Sequence, residues 1–184
     1  MPSLTLPVCI LGSNFEGKAN FCTVAWFTMI DDEPPTIGLL LGKKRRTVDG
    51  IRQNRTFSVN LPSTKLAAKT DFVGLYSGYK EDKSEVFRVS YGQLGNAPLV
   101  DDCPMSVECK LKDIIEFEGT DLVIGEIVEV HVDEECLTDE EPDIVKMDPL
   151  LYGSPGAAYF QMGNKVADAF KVGKKLKVPN RKKG

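Results

Sequence analysis

Residues 105–112, with the sequence MSVECKLK, decide the fold class of this chain. Apolar and polar side chains alternate along them: one face carries Met105, Val107, Cys109 and Leu111, and the other carries Ser106, Glu108, Lys110 and Lys112. Successive side chains of a strand point to opposite faces. The pattern therefore predicts an antiparallel strand with one face in the core and the other in water.

The segments on either side of this strand are also strand-like. Residues 122–132 (LVIGEIVEVHV) form a longer predicted strand, and its interruption at Gly125 indicates a bulge or a tight bend such as a barrel corner. Upstream, apolar and β-branched runs predict four more strands, at residues 6–11, 21–30, 36–41 and 56–61. Gly17 supplies a turn between the first two.

Helices are few in the predicted pattern. Thr47 is a candidate cap for a helix ending at Asn54, and Ser63 or Thr64 for a second helix through Val73. A third, amphipathic helix is predicted at residues 165–171. Since the elements do not alternate regularly between strand and helix, the expected fold is mainly β, an antiparallel barrel with a few peripheral α-helices.

Length and charge suit one globular domain. The chain has 184 residues, 42% of them hydrophobic, and its net charge is −4. This balance lacks the basic footprint of a nucleic-acid-binding protein, and no apolar run is long enough to span a membrane. With no signal peptide visible, the expected location is the cytoplasm. We place the domain at residues 1–175 and a basic, flexible tail at 176–184; seven of the last fourteen residues are Lys or Arg.

Side chains that catalyse reactions on their own are scarce. Five widely spaced cysteines and the single histidine, His131, offer no set of metal ligands, so no metal site is expected. His131 lies in an alternating strand and is interpreted as a structural residue rather than a general base. The cysteines are interpreted as reduced thiols, some of them small core residues.

Two segments have residues that are typical of a ligand-binding site. In residues 42–47 (GKKRRT), four cations and a hydroxyl meet at the expected start of a helix, where unpaired N–H groups and the helix dipole favour a phosphate. The alternative is a basic surface turn. In residues 20–27 (NFCTVAWF), small and hydroxyl residues accompany a strand whose backbone could bond a flat heterocycle edge-on. The alternative is a plain core strand.

Taken in order, these segments resemble one known family. The strand NFCTVAWF is followed by Pro34-Pro35, by the basic run and by the strand FSVNLP at residues 57–62. Later come the Ser77-Gly78 turn, Asp82-Lys83, the pair Glu108-Cys109 and the segment PLLY at residues 149–152. This order and spacing resemble the flavin reductase-like family, and within it the flavoredoxin-like proteins, over about residues 5–175.

The resemblance implies an FMN-binding split β-barrel of the antiparallel Greek-key type, assembled as a homodimer. It implies that Asn20, Thr23, Val24, Ala25 and Trp26 line the isoalloxazine ring, largely through backbone groups, and that Lys43, Arg45, Arg46 and Thr47 hold the phosphate. It places Asn60 near the ring or the ribityl chain, and Lys83 in an acidic-basic pair with Asp82 at the cofactor. The chemistry would belong to the flavin, so no catalytic side chain is expected.

Three functions remain open at this point. The first is an oxidoreductase that passes electrons from NADH or NADPH to flavin or to an acceptor, for which a redox protein or an oxygenase would be a partner. The second is a flavoredoxin-type electron carrier with tightly bound FMN. The third is a non-catalytic binding module.

Overall fold

Fourteen strands and a few short helices make up the described part of the chain, residues 4–176 of a computed structural model. The strands are β1 Leu4–Pro7, β2 Cys9–Phe15, β3 Lys18–Val24, β4 Phe27–Asp32, β5 Pro35–Gly42, β6 Thr56–Leu61, β7 Val89–Tyr91, β8 Pro98–Val100, β9 Met105–Glu116, β10 Thr120–Val132, β11 Leu137–Thr138, β12 Glu141–Pro142, β13 Leu151–Ser154 and β14 Ala158–Phe160. The α-helices are α1 Arg46–Asn54, α2 Ala67–Leu75 and α3 Ile144–Met147, and 3₁₀ helices cover Thr64–Leu66, Glu134–Cys136 and Val172–Lys175.

Seven strands form one antiparallel sheet in the order β3-β2-β6-β9-β10-β5-β4. Its two end strands, β3 and β4, are joined by two residues alone, Ala25 and Trp26. A link this short requires the sheet to roll until its two ends meet, which makes a barrel. At this link, the Leu40 N–H of β5 donates to the Trp26 carbonyl at 2.8 Å, which continues the β4–β5 pairing, while the outer edge of β3 pairs with no strand among residues 4–176. The barrel is therefore split along the outer edge of β3.

The main core fills the inside of the barrel. Its members include Leu11 of β2, Leu39 of β5 and Phe57 of β6, all fully buried. Helix α1 adds Val48 and Ile51 to the same cluster. A second cluster lies on the other face of β2 and β3, where Ile10, Phe21 and Val73 of α2 pack together with Phe87. The two helices thus cover opposite faces of the strands that carry the predicted ring segment.

The alternation in residues 105–112 predicted strand β9 correctly, but one of its faces was misjudged. Val107, Cys109 and Leu111 belong to the barrel core, as expected. The other face is not in water at this end, since Glu108 is fully buried and its carboxylate accepts hydrogen bonds from the backbone N–H groups of Gln93 and Leu94, at 2.8 and 2.7 Å. The loop between β7 and β8 covers the polar face, and the alternation within residues 105–112 cannot reveal that cover.

Several other boundaries differ from the prediction. The predicted strand at residues 6–11 is interrupted at Val8, and that at 21–30 at Ala25 and Trp26, because the chain changes partner strand at both places. The predicted strands at 36–41 and 56–61 and the first two helices are confirmed, although Arg45 rather than Thr47 stands at the N-cap of α1.

The third helix, predicted at residues 165–171, was wrong. Val166 and Phe170 are 98% and 94% exposed, so the apolar residues of that segment have no surface to pack on and no α-helix forms. Nearly all of the predicted tail, 176–184, lies outside the described residues. Within residues 4–176, no helix combines the length and the apolar character needed to cross a bilayer.

Gly125 was expected to mark a bulge, and the β9–β10 register does shift between Ile124 and Gly125. A Cβ atom at this position would lie 2.2 Å from Cζ of buried Phe57. We therefore expect Gly125→Ala to lower the free energy of unfolding by about 1–3 kcal/mol, because the packed ring cannot withdraw without loss. Denaturant titration measures it. The matched control is Gly119→Ala, where a Cβ meets no atom within 4 Å; equal stability of the two variants would contradict the expectation.

Candidate functional site

The outer edge of β3 has backbone groups that no strand satisfies. β2 pairs with one edge of β3, and no strand among residues 4–176 pairs with the other. The Phe21 carbonyl points to this free edge, where it accepts a hydrogen bond from Lys83 Nζ at 3.0 Å. Since residues two apart in a strand turn their backbone groups the same way, Thr23 presents its N–H and carbonyl there as well. Such an edge can bond the polar rim of a planar ligand.

A depression of about 380 Å³ lies at the end of this edge, where the barrel is split. Its lining comes from β3 and the link after it, from the end of β5, from the start of α1 and from β13: Cys22, Thr23, Val24, Ala25, Trp26, Leu40, Leu41, Gly42, Arg45 and Tyr152. This size falls within the range of about 300–1,000 Å³ that is usual for small-molecule sites.

Helix α1 begins at the wall of the depression. Arg45 is its N-cap residue and makes no side-chain cap hydrogen bond, so N–H groups of the first turn lack a side-chain acceptor. The Arg45 guanidinium is half-buried and has no hydrogen-bond or ion-pair partner among residues 4–176. A free guanidinium beside the positive end of a helix dipole is suited to an anion such as a phosphate.

Lys83 is a second cation without a carboxylate partner in the described part of the chain. Its side chain is almost fully buried, 2% exposed, and its ammonium donates to the carbonyls of Phe21 and Val73, at 3.0 and 2.8 Å. Burial, and to a smaller extent the nearby charge of Arg45, lowers the pKa of Lys83. The adjacent acidic residue, Asp82, pairs with Lys18 at 2.6 Å. The two unpaired cations give this end of β3 a positive potential.

A smaller depression, about 270 Å³, adjoins the start of α1 on its other side. Arg46 lines it and donates to the Gly78 carbonyl at 2.7 Å and to Glu16 at 3.0 Å. Asn20 also lines it and donates to the Thr47 hydroxyl at 2.7 Å. Contacts within the protein therefore already engage both polar side chains.

The structure divides the eleven predicted site residues into three sets. Five of them line the larger depression: Thr23, Val24, Ala25, Trp26 and Arg45. Three line the smaller one: Asn20, Arg46 and Lys83. The remaining three line neither: Lys43, Thr47 and Asn60.

The three residues that line neither depression are held by contacts with other strands and helices, which the sequence did not reveal. Lys43 turns away to Asp121 of β10, with an Nζ to Oδ1 distance of 2.6 Å. Thr47 is buried under Asn20. The Asn60 amide is fully buried and bonds the Ile10 carbonyl at 3.0 Å and the Val100 N–H at 2.9 Å, which leaves it inside the sheet.

Thr23 and Cys22 lie on opposite faces of β3, as predicted. Cys22 is 2% exposed and belongs to the barrel core, and burial raises the pKa of its thiol. The Thr23 hydroxyl donates to the Thr70 carbonyl of α2, so its proton is already used. Thr23 can therefore offer a ligand its backbone groups and a hydroxyl lone pair.

His131 lies outside both depressions. Its Nε2 atom is 2.8 Å from the buried carboxylate of Glu108, a contact that fits the predicted structural role. Tyr152, in contrast, lines the larger depression, although sequence reasoning gave it no role. It follows Thr23 by well over a hundred residues, and nothing local in the sequence PLLY signals that distant contact.

The rolled sheet with an open edge defines a split β-barrel. A family model, the flavin reductase like domain, matches residues 1–160, so the chain belongs to that family. A solved flavoredoxin from Methanosarcina acetivorans is 39% identical, with a TM-score of 0.90, and the match covers 92% of this chain and 91% of that one. The flavoredoxin of Desulfovibrio vulgaris (Miyazaki F) is 34% identical, with a TM-score of 0.85 and coverage of 92% and 93%.

A curated relative of lower sequence identity is named for an enzymatic activity. The FMN reductase (NADH) RutF of Pseudomonas syringae is 25% identical over 117 residues, which span 62% of this chain and 63% of the relative.

Proposed function

We propose that this protein binds FMN at the free edge of β3 and acts as a flavin oxidoreductase that takes electrons from NADH or NADPH. One observation carries the proposal: Arg45, a guanidinium without a partner among residues 4–176, lies at the uncapped start of α1 and lines the same depression as the backbone of residues 22–26. An anion-binding corner and an open strand edge are the two parts that a phosphorylated planar cofactor needs.

The residues present fit the cofactor. The backbone of Thr23 and its neighbours would bond the rim of the ring, and Arg45 with the first N–H groups of α1 would hold the phosphate. The buried ammonium of Lys83 would add positive charge beside them. When bound, FMN supplies the electron-transfer chemistry of its ring, which no side chain in this site could supply. The protein's part is to bind, orient and shield it.

A second candidate function is favoured by the likeness to two flavoredoxins at 39% and 34% identity. In that case FMN stays bound and relays electrons between proteins, without oxidation of a nicotinamide cofactor. In the first case the electrons would go on to free flavin, a redox protein or an oxygenase. The two functions share the same site and differ in the electron donor.

Anaerobic mixing of the FMN-loaded protein with NADH and, separately, with NADPH distinguishes them. Bleaching of the flavin absorbance within seconds supports the oxidoreductase. A bound flavin, at about one per chain, that neither nucleotide bleaches supports the carrier. A purified protein that takes up no FMN would refute both and leave a binding module of another kind.

We further propose that the protein is a homodimer. An apolar depression of about 590 Å³ covers the outer face of β4, β5 and β10, and Trp26 lines both this surface and the ligand depression. Phe27 packs against the core while Trp26 is 44% exposed, so one of the two adjacent aromatics faces outward. Burying this face against a second copy would remove the apolar area from water.

Sedimentation of the FMN-loaded protein at micromolar concentration tests this assembly. We expect a mass twice the 20.3 kDa of one chain. Trp26→Ser and Ile30→Ser, both on the apolar face, should shift the equilibrium toward the monomer. A stable monomer of the unmodified protein would contradict the proposal.

No cysteine is expected to take part in the reaction. Cys22 is the thiol that lines the ligand depression, yet it is buried and its pKa is raised, so the reactive thiolate is disfavoured. We expect Cys22→Ser to retain FMN and the wild-type rate of flavin reduction, with at most about 1–2 kcal/mol of lost stability. Cys136→Ser, far from the site, is the matched control. If FMN stays bound to the Cys22 variant while reduction stops, a thiol belongs in the mechanism.

A further inference from the structure

Tyr152 is the aromatic residue on the far wall of the ligand depression. It lies on β13, is half-buried, and shares the depression with Trp26 and Arg45. Its hydroxyl has no hydrogen-bond partner among residues 4–176. An aromatic ring with an unused donor can both pack against a planar ligand and bond its polar rim.

A hairpin carries Tyr152 into place. β13 pairs with β1 on one side and β14 on the other, and Tyr152 stands directly opposite Tyr159 of β14. The two rings meet edge to face, with centroids 6.1 Å apart and planes at 63°. The position of one ring therefore constrains the other.

Tyr159 in turn anchors the hairpin to α2. Its hydroxyl donates to the Asp71 carboxylate at 3.0 Å, and burial together with Asp71 raises the pKa of Tyr159 to about 12, so it remains a donor at physiological pH. The neighbouring Thr70 carbonyl accepts the Thr23 hydroxyl. One turn of α2 thus holds both the free edge of β3 and the hairpin that faces it.

We infer that Tyr152 contacts the ligand of this site and that the Asp71–Tyr159 hydrogen bond is the positioning device that holds it there. The part concerning the ligand rests on the proposed function, with FMN as that ligand. The part concerning the position of the hairpin stands on the contacts of Tyr152, Tyr159 and Asp71 alone.

FMN affinity tests the first part. Tyr152→Ala should weaken FMN binding about tenfold through the lost ring contact, and Tyr152→Phe should lose less. Tyr159→Phe and Asp71→Ala should each weaken it about tenfold through the lost hydrogen bond to a charged group. If Tyr159 acts through Tyr152, adding Tyr159→Phe to Tyr152→Ala should cost little more. Tyr91→Phe is the matched control, because it removes a hydroxyl that bonds Asn14 far from the depression.

A readout without FMN tests the second part. Trp26 is the only tryptophan of the chain and lines the same depression. Release of the hairpin in Tyr159→Phe or Asp71→Ala should increase the quenching of its fluorescence by acrylamide, whereas Tyr91→Phe should not.

The two readouts have separate outcomes. If the wild type binds no FMN, the proposed function and the ligand contact fail together, and the quenching still decides whether the Asp71–Tyr159 bond positions the hairpin. If the wild type binds FMN but Tyr159→Phe changes neither FMN affinity nor Trp26 quenching, the positioning role is overturned. Wild-type affinity of Tyr152→Ala would overturn the ligand contact.

Discussion

Arg45→Ala is expected to weaken FMN binding by about tenfold to a hundredfold, the value of one charge-assisted hydrogen bond or an ion pair of similar strength. Arg45 carries this expectation because its guanidinium has no partner among residues 4–176 and lies at the uncapped start of α1. Lys43 and Arg46 are already bonded to Asp121 and Glu16. The measurement is titration of the FMN-free protein with FMN, followed by flavin fluorescence.

Comparison with riboflavin tests whether Arg45 binds the phosphate of FMN. Riboflavin lacks that group, so the wild type should bind it more weakly than FMN, and Arg45→Ala should reduce the difference in affinity between the two ligands. Arg52→Ala is the matched control, since Arg52 lies in the last turn of the same helix and bonds Glu116 at 2.8 Å. Equal affinity of the wild type for FMN and riboflavin would show that no phosphate is held there.

The second large effect concerns Lys83. Lys83→Met should lower the free energy of unfolding of the FMN-free protein by about 2–4 kcal/mol, because the buried carbonyls of Phe21 and Val73 each lose a bond to a charged donor. Removing a buried cation recovers part of its desolvation cost, which keeps the loss below the sum of the two bonds. Urea titration measures it, with exposed Lys80→Met as the control. Equal stability of the wild type and the Lys83 variant would contradict the role.

The wild type and the Lys83→Met variant should also differ in how their free energy of unfolding depends on pH. Because the pKa of Lys83 is lowered by burial, the unfolded chain binds more protons at this residue than the folded chain between the lowered pKa and the ordinary value of 10.5. Stability from this residue therefore rises with pH through that window. The difference in unfolding free energy between wild type and Lys83→Met should grow as the pH approaches 10.5. A difference that shrinks would mean that the folded protein favours the charged form.

The sequence predicted the features that depend on neighbouring residues. The alternation in residues 105–112 and the glycine in β10 are local signals, and both the strand and the bulge are confirmed. The cover over Glu108 depends on the loop between β7 and β8, and the side on which Lys43 points depends on Asp121 of β10. Both partners lie outside the segments whose patterns were read. Neither contact has a signature within its own segment. The run of four cations therefore appeared as one phosphate site, whereas the structure pairs Lys43 and Arg46 with carboxylates and places Arg45, without a partner among residues 4–176, in the ligand depression.

The free edge of β3 has a consequence for the solubility of the protein. An unpaired strand edge is a template on which a strand of another molecule can add, the first step of edge-to-edge aggregation. Here the ammonium of Lys83 already occupies the Phe21 carbonyl, and Lys18 stands at the start of the strand. An incoming strand would have to displace a buried cation, whereas a small molecule at residues 22–26 would not. Lys83 thus obstructs the addition of a whole strand at this edge and leaves residues 22–26 accessible to a small ligand.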